Sequence, residues 1–142
     1  MVIEHANASD LPEVHTLLQR WQLPLDGLDA HVETMIVARE ESHVVGTAAL
    51  ELYADGALLR SVAVDPAAQG RRLGHKLTET ALQMAQQHGA KAVFLLTTTA
   101  ETFFPKFGFE PVARAEVPAS VQASVEFRFA CPASAIVMRK RL

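Results

Sequence analysis

The sequence is poor in cysteine and has no long apolar run. Its single cysteine, Cys131, excludes an internal disulfide and is typical of a protein from a reducing compartment. No apolar stretch approaches the ~20 residues that a membrane-spanning helix needs. Residues 1–5 show neither the basic nor the apolar region of an export signal. These absences predict a cytoplasmic protein with no membrane partner.

Excess positive charge is also missing. The chain has 13 Lys and Arg against 16 Asp and Glu, a formal net charge of −3. Nucleic-acid binding needs a basic face, so the sequence predicts no nucleic-acid partner. The 6 histidines show no pairing at the spacing of metal ligands, so no metal site is expected. No repeat or linker interrupts the 142 residues, which predicts one domain, 1–142.

Apolar periodicity and turn residues outline the fold. They predict strands near residues 1–5, 35–39, 44–53, 57–64, 91–96, 109–112 and 135–141, and helices near 10–20, 72–88 and 98–107. The first strands are joined as hairpins, whereas the helix at 72–88 connects two strands as a crossover. The order therefore predicts an α/β (α+β) fold with a mixed sheet and helices on both faces.

A loop rich in glycine and arginine lies between a predicted strand and the helix at 72–88. Residues 69–74 read QGRRLG, and apolar residues then recur with a helical period. Glycines let a backbone approach a ligand closely, and a helix start presents free N–H groups to an anion. The pattern predicts a pyrophosphate cradle. The alternative is a glycine turn before a solvated basic helix start.

Two further motifs decide between these alternatives. Residues 62–66 read VAVDP just before the loop, and residues 103–109 read FFPKFGF about thirty residues after it. With the glycine loop, this order and separation resemble the GCN5-related N-acetyltransferase (GNAT) superfamily along nearly the whole chain. The resemblance implies a mostly antiparallel central sheet and acetyl-coenzyme A as the acetyl donor.

The resemblance also implies where the donor binds. The pyrophosphate would lie on Gln69, Gly70, Arg71, Arg72, Leu73, Gly74 and His75. The pantetheine would bond the backbone of Val62, Ala63 and Val64 like an added strand, and Thr97, Phe103, Phe104 and Lys106 complete the implied donor site. A bulge in the 57–64 strand would splay it from the next strand and open the cleft. Arg72 stands where the family usually has a second glycine, and we expect a helical φ there.

Two departures from the family bear on the mechanism. Phe104 occupies the position of the usual tyrosine, the general acid for the departing thiolate, and has no proton to give. Arg60 occupies the position where many members carry a glutamate base, and it stays charged. Candidates for the base are therefore bulk water, an ordered water, or the carboxylate of Glu51 or Glu126. The backbone N–H of Val62 is the candidate for polarising the thioester carbonyl.

The acceptor site is predicted around Arg60. Strand alternation predicts Arg60, Val62 and Val64 on one face, where Arg60 would bind an anionic acceptor through two hydrogen bonds. The alternative is a structural Arg60 paired with Glu51 or Asp55. Three residues are predicted to bind the acceptor: Arg60, Ser61 and Thr98. Trp21 is expected in the core, with a place in the wall of the acceptor pocket as the alternative.

Further sequence motifs narrow the resemblance to a subgroup of the family. Residues 57–64, 95–104 and the tail motifs EF (126–127) and CPxSA (131–135) are similar to arsenic-resistance N-acetyltransferases. Relatives of that group and phosphinothricin acetyltransferases acetylate small anionic amino-acid analogues. The resemblance implies an N-acetyltransferase acting on a small-molecule amine acceptor, and a homodimer is a further expectation. The alternatives are a non-catalytic acyl-coenzyme A binding module and, more weakly, a nucleotide-phosphate binder.

Overall fold

The computed structural model describes residues 1–124, 127 and 134–142, in which one sheet runs through the molecule. Its 7 strands are β1 (Val2–His5), β2 (Met35–Glu40), β3 (His43–Tyr53), β4 (Gly56–Val64), β5 (Ala92–Thr97), β6 (Glu110–Pro111) and β7 (Ile136–Arg141). They lie in the order β1-β2-β3-β4-β5-β7-β6. Only the β4–β5 pair is parallel. The predicted mixed, mostly antiparallel sheet is confirmed.

Helices cover both faces of the sheet, as predicted. The described α-helices are α1 (Leu11–Arg20), α2 (Leu73–Gln87) and α3 (Ala119–Gln122). On one face α2 buries Leu73, Leu77, Ala81 and Ala85 against alanines and leucines of β3, β4 and β5. On the other face α1 packs on β2 and β3, and α3 packs on β4, β5 and β7. Gly46 allows the close approach of α2, because a Cβ there would lie 2.9 Å from Leu77 Cδ1.

A β-bulge interrupts β4 at Ser61 and Val62. Ala49 of β3 lies opposite Arg60, whereas Thr47 lies opposite Ala63, so β4 carries one extra residue. Ser61 has a φ of 60°, in the left-handed region that a bulge residue can occupy. The implied bulge is therefore present.

The bulge overturns one prediction. Ala57 and Leu59 face the α2 side of the sheet before the bulge, and Val62 and Val64 face that same side after it. Arg60, which follows Leu59, points to the opposite face. The prediction that Arg60 shares a face with Val62 and Val64 is wrong, because the extra residue reverses the alternation.

The cleft opens where β4 and β5 separate. Their parallel pairing comprises Ala57 with Val93 and Leu58 with Phe94. Beyond this point β5 continues its pairing with β7 as far as Thr97, while β4 continues along β3. The carboxyl ends of the two strands therefore splay, and their facing edges border a cleft.

The predicted helix at 98–107 differs in the structure. The hydroxyl of Thr97, not that of Thr98, accepts hydrogen bonds from the backbone N–H groups of Thr99 and Ala100, at 3.3 and 2.8 Å. A 3₁₀ helix then covers Phe104–Phe107 and ends at Gly108, whose φ is +94°. Pro105 and Gly108 keep this helix to one short turn.

Candidate active site

The cleft between β4 and β5 holds a cavity of about 550 Å³. Five segments line it: the loop after α1, the bulged part of β4, the glycine loop with the start of α2, β5 with the phenylalanine turn (residues 103–109), and Ala135 just before β7. The lining residues are Trp21, Gln22, Leu23, Pro24, Leu59, Arg60, Ser61, Val62, Ala63, Val64, Gln69, Gly74, Leu95, Leu96, Thr97, Thr98, Thr99, Ala100, Phe103, Phe104 and Ala135. Most of the predicted donor-binding and acceptor-binding residues are thus brought together at one cleft.

The glycine loop ends at the mouth of this cavity. The first hydrogen bond of the α2 ladder runs from the N–H of Lys76 to the carbonyl of Arg72, at 3.1 Å. The N–H groups of Leu73, Gly74 and His75 therefore lie outside the helix's own ladder. Gly70 has a φ of +85° and open space around its missing side chain. This geometry suits an anion at the helix start.

Arg72 corrects one expectation about this loop. Its φ and ψ are 57° and 27°, in the left-handed region, and not the helical φ that we expected. The chain makes this left-handed turn directly before α2, at the place where the family usually has glycine. For an L-residue with a side chain, such a conformation costs roughly 1–2 kcal/mol.

Six of the predicted donor-binding residues are not among those that line the cavity. Arg71 forms an ion pair with Glu40 at 2.6 Å. His75 contacts Glu79 at 3.0 Å and the ring of Phe107 at a centroid distance of 4.7 Å. Lys106 places its Nζ 5.4 Å from the centroid of the Phe103 ring. The other three residues outside the lining are Gly70, Arg72 and Leu73.

Trp21 forms a hydrogen bond with the edge of β4 that faces the cleft. Its indole Nε1 donates to the carbonyl oxygen of Val64 at 2.9 Å. The next residue, Asp65, donates its N–H to Val45 of β3. Because successive residues direct their backbone groups to opposite edges, Val62 and Val64 offer theirs to the cleft and Ala63 offers its own to β3. Trp21 therefore lies in the cavity wall, which was the alternative to a core position.

Arg60 is held by the protein itself. Its side chain is 0% exposed. Its guanidinium donates to Glu51 Oε2 at 2.9 Å, to the carbonyls of Asp26 and Pro24 at 2.7 and 3.1 Å, and to Ser61 Oγ at 3.2 Å. The structure favours the alternative in which Arg60 pairs with Glu51. Asp55, the other candidate partner, instead accepts from Ser120 at 3.2 Å.

Glu51, a candidate base, is buried in this polar cluster. Its carboxylate binds Arg60, accepts a hydrogen bond from the hydroxyl of Tyr53, and lies 3.5 Å from His31 Nε2. Burial and the hydrogen bond to Glu51 raise the pKa of the Tyr53 phenol far above its usual value. Glu51 does not line the cavity, so it is not turned into the cleft.

The other candidate carboxylate, Glu126, lies outside the described residues. Among the described residues that line the cavity, Arg60 is the only one with an ionisable side chain.

Phe103 and Phe104 form an aromatic part of the cavity lining. Their rings meet edge to face at a centroid distance of 5.1 Å, and Phe104 also packs against Phe109 at 5.8 Å. Phe104 is buried and presents a hydrocarbon surface where the family's tyrosine would present a hydroxyl. The ring therefore shapes the cavity and donates no proton.

The family model described as acetyltransferase (GNAT) domain matches residues 31–111 of this chain. The chain belongs to the GNAT acetyltransferase family. It is an N-acetyltransferase that uses acetyl-coenzyme A. Its match includes the glycine loop, the bulged strand and the phenylalanine turn that surround the cleft.

Several relatives are amino-acid acetyltransferases. An amino-acid acetyltransferase of Mycobacterium tuberculosis is 32% identical over 131 residues, 84% of this chain and 74% of the relative. A Mycobacterium tuberculosis protein solved in complex with CoA is 28% identical over 100% of this chain and 99% of that chain, with a TM-score of 0.84. These GNAT relatives do not show the predicted arsenic-resistance or phosphinothricin subgroup.

A longer protein shares the fold with this chain. The N-acetylglutamate synthase of Neisseria gonorrhoeae, complexed with coenzyme A and N-acetyl-glutamate, has a TM-score of 0.85 and 23% identity over 99% of this chain. This chain spans only 35% of that protein.

Sequence reasoning missed part of the lining. Gln22, Leu23 and Pro24 come from a loop that no motif marks, and Leu95, Leu96 and Ala135 line the cavity only because β5 ends and β7 begins there. Within the described residues, no helix is long and apolar enough to cross a bilayer. The same residues contain no cluster of three or more His, Cys, Asp or Glu that would hold a metal.

Proposed function

We propose that this GNAT enzyme acetylates the amino group of a small acidic amino acid, with glutamate as the first candidate. The observation that carries the proposal is the similarity to an amino-acid acetyltransferase over 84% of the chain. The cavity chemistry supports it. Its described lining offers the hydroxyls of Ser61, Thr97, Thr98 and Thr99 and no carboxylate. An acceptor carboxylate would therefore meet hydrogen-bond donors there without a like charge among those residues.

The proposed reaction is direct attack. The neutral amine attacks the carbonyl carbon of the thioester, the C–N bond forms, and the C–S bond breaks to release the coenzyme A thiolate. The N–H of Val62, which faces the cleft just after the bulge, would donate to the oxygen that gains charge. Water takes the amine proton and supplies one to the thiolate, since Phe104 has none. Orientation of the two reactants can contribute ~7–11 kcal/mol relative to free solution.

The proposed donor position follows the same geometry. The pantetheine would bond the cleft-facing backbone of Val62 and Val64, and the pyrophosphate would lie at residues 69–75. Gln69 and Gly74, which line the cavity, would connect the two parts. We further propose that residues 1–142 form one N-acetyltransferase domain. A cytoplasmic location, a homodimer and a role in arsenic resistance stay predictions.

A thiol-release screen tests the proposed acceptor. Purified enzyme with acetyl-coenzyme A would be offered glutamate, aspartate, glutamine, phosphinic and arsonic amino-acid analogues, and polyamines, with mass spectrometry of the products. We expect the acidic amino acids and their anionic analogues to give the highest kcat/KM. Preference for a polyamine would contradict the proposal. No release of thiol with any amine would instead favour the acyl-coenzyme A binding module.

A further inference from the structure

We propose that Arg60 is a positioning residue. It would hold the loop of residues 21–26, which we term the wall loop, in place beside the acceptor. The inference rests on the proposed function in one respect: it takes the acceptor to bind between the wall loop and β5. Arg60 acts through the loop it holds, and its guanidinium does not bind the acceptor carboxylate.

The first observation is that Arg60 joins three separate parts of the chain. Its side chain is fully buried and bonds Glu51 of β3, the bulge residue Ser61, and the carbonyls of Pro24 and Asp26. The backbone carbonyls of a loop lack the regular hydrogen-bond partners of a helix or sheet. A buried donor that binds two of them therefore fixes the course of the loop. Arg60 is thus an anchor for the wall loop.

The second observation is that the wall loop has another anchor on the same strand. Trp21 donates to the carbonyl of Val64, beyond the bulge, while Arg60 holds Pro24 and Asp26 from before it. The two anchors lie on either side of Ser61 and Val62. The wall loop is therefore fixed relative to the N–H of Val62 that would polarise the thioester, and four of its residues line the cavity.

The third observation concerns the charge of Arg60. Glu51 lies 2.9 Å from the guanidinium and is itself held by Tyr53 and His31, so the positive charge has a buried counter-ion. A planar guanidinium carries five donors in a rigid fork, which suits one carboxylate and two carbonyls at once. A lysine ammonium keeps the charge but not the fork. A comparison of arginine with lysine at position 60 therefore distinguishes holding the loop from attracting an anion.

The test uses a double variant, because removing Arg60 alone would leave the Glu51 charge buried without a partner. In Arg60→Met/Glu51→Gln we expect the KM of the acidic amino acid to rise on the order of tenfold or more, because misplaced walls disturb acceptor orientation. The KM of acetyl-coenzyme A should stay near the wild-type value. The emission of Trp21, the only tryptophan in the sequence, should shift to the red as the wall loop loosens.

Two further variants sharpen the test. Arg60→Lys should raise the acceptor KM nearly as much as the double variant, since it keeps the charge without the fork. Arg39→Met is the matched control: Arg39, on β2, is a partly buried arginine that binds Glu4 and Asp10 and lies outside the cavity lining. Its loss should lower stability but leave the acceptor KM and Trp21 emission unchanged.

Several outcomes would overturn the inference. One is full recovery of the acceptor KM in Arg60→Lys, which would mean that charge alone matters. Another is an equal rise of both KM values in the double variant, and a third is an unchanged acceptor KM. If the wild-type enzyme acetylates no amino acid, the proposed function fails by itself. Trp21 emission then decides about Arg60, and an unchanged spectrum in the double variant overturns its positioning role.

Discussion

The indole of Trp21 donates a hydrogen bond to the carbonyl of Val64 at 2.9 Å, on the edge of β4 that the pantetheine of acetyl-coenzyme A is proposed to share. The residue is 43% exposed although it lines the cavity. An aromatic group with one apolar body and one polar handle suits such a boundary. Trp21 thus links the wall loop, beside the proposed acceptor, to β4, beside the proposed donor.

This position makes Trp21 a reporter of donor binding. We expect titration with coenzyme A to shift its emission to the blue, because the ligand would cover part of the exposed ring. Fluorescence titration of the wild-type protein measures this, with Trp21→Phe as the blank. An unchanged spectrum at concentrations where calorimetry shows saturation would place the coenzyme away from Trp21.

Substitution of Gly70 tests the pyrophosphate site. Gly70→Asp should weaken coenzyme A binding about tenfold or more, equivalent to about 1.4 kcal/mol, because it puts a negative charge beside the phosphates. Gly89→Asp is the matched control, since Gly89 has a similar φ of +80° and similar open space at the other end of α2. Calorimetry that finds equal affinities for the two variants would remove the glycine loop from the donor site.

The left-handed conformation of Arg72 predicts a gain in stability from glycine. Arg72→Gly should raise the free energy of unfolding by about 0.5–1 kcal/mol, because relief of the left-handed strain exceeds the entropy that glycine adds to the unfolded chain. Arg71→Gly is the control: Arg71 has no positive φ and loses its ion pair with Glu40. Denaturant unfolding in which Arg72→Gly is no more stable than Arg71→Gly would contradict the prediction.

The hydrocarbon ring of Phe104 predicts a mechanism without a phenolic acid. Phe104→Tyr should leave kcat within a few-fold of the wild type, and Phe104→Leu should mainly raise the KM of acetyl-coenzyme A through lost packing with Phe103 and Phe109. In the wild-type pH–rate profile, the high-pH side should show no fall in rate caused by the ionisation of a phenol. A several-hundred-fold gain in kcat on restoring tyrosine would point to an impaired enzyme instead.

Asp10 gives a pH dependence of stability with a defined sign. Arg39, which donates two hydrogen bonds to its carboxylate, holds the pKa of Asp10 below the usual value of 3.8. Because the folded pKa is lower than the unfolded one, this stabilisation is present above about pH 3.8 and is lost as the pH falls through the folded value. Asp10→Asn should therefore cost about 2 kcal/mol near neutral pH and progressively less in acid.

Unfolding of both proteins between pH 3 and pH 7 measures this difference. Asp29→Asn serves as the control, since Asp29 is 57% exposed and should contribute little at either pH. A difference between wild type and Asp10→Asn that is constant over the whole range would show that the ion pair with Arg39 does not carry the effect.

The sequence by itself determined the elements whose signals are local. The repeat of apolar residues along α2 follows from one buried helix face, and Gly89 follows the end of the helix because the chain needs a positive φ there. The strand, glycine loop and phenylalanine turn occur in a fixed order, and together they indicated the family and its acetyl donor. Each of these features is encoded by neighbouring residues, so no knowledge of distant contacts was needed.

The tertiary structure decided which side chains meet at the acceptor. Regular alternation along β4 predicted the wrong face for Arg60. The extra residue at Ser61 is visible only in the register between β4 and β3. The choice of Glu51 over Asp55 as its partner depends on how β3 and β4 pair and on the carbonyls of a loop more than thirty residues away. The place of Trp21 against Val64 is likewise a contact across 43 residues. Long-range pairing and loop closure determine such contacts, and a local pattern of residues does not contain them.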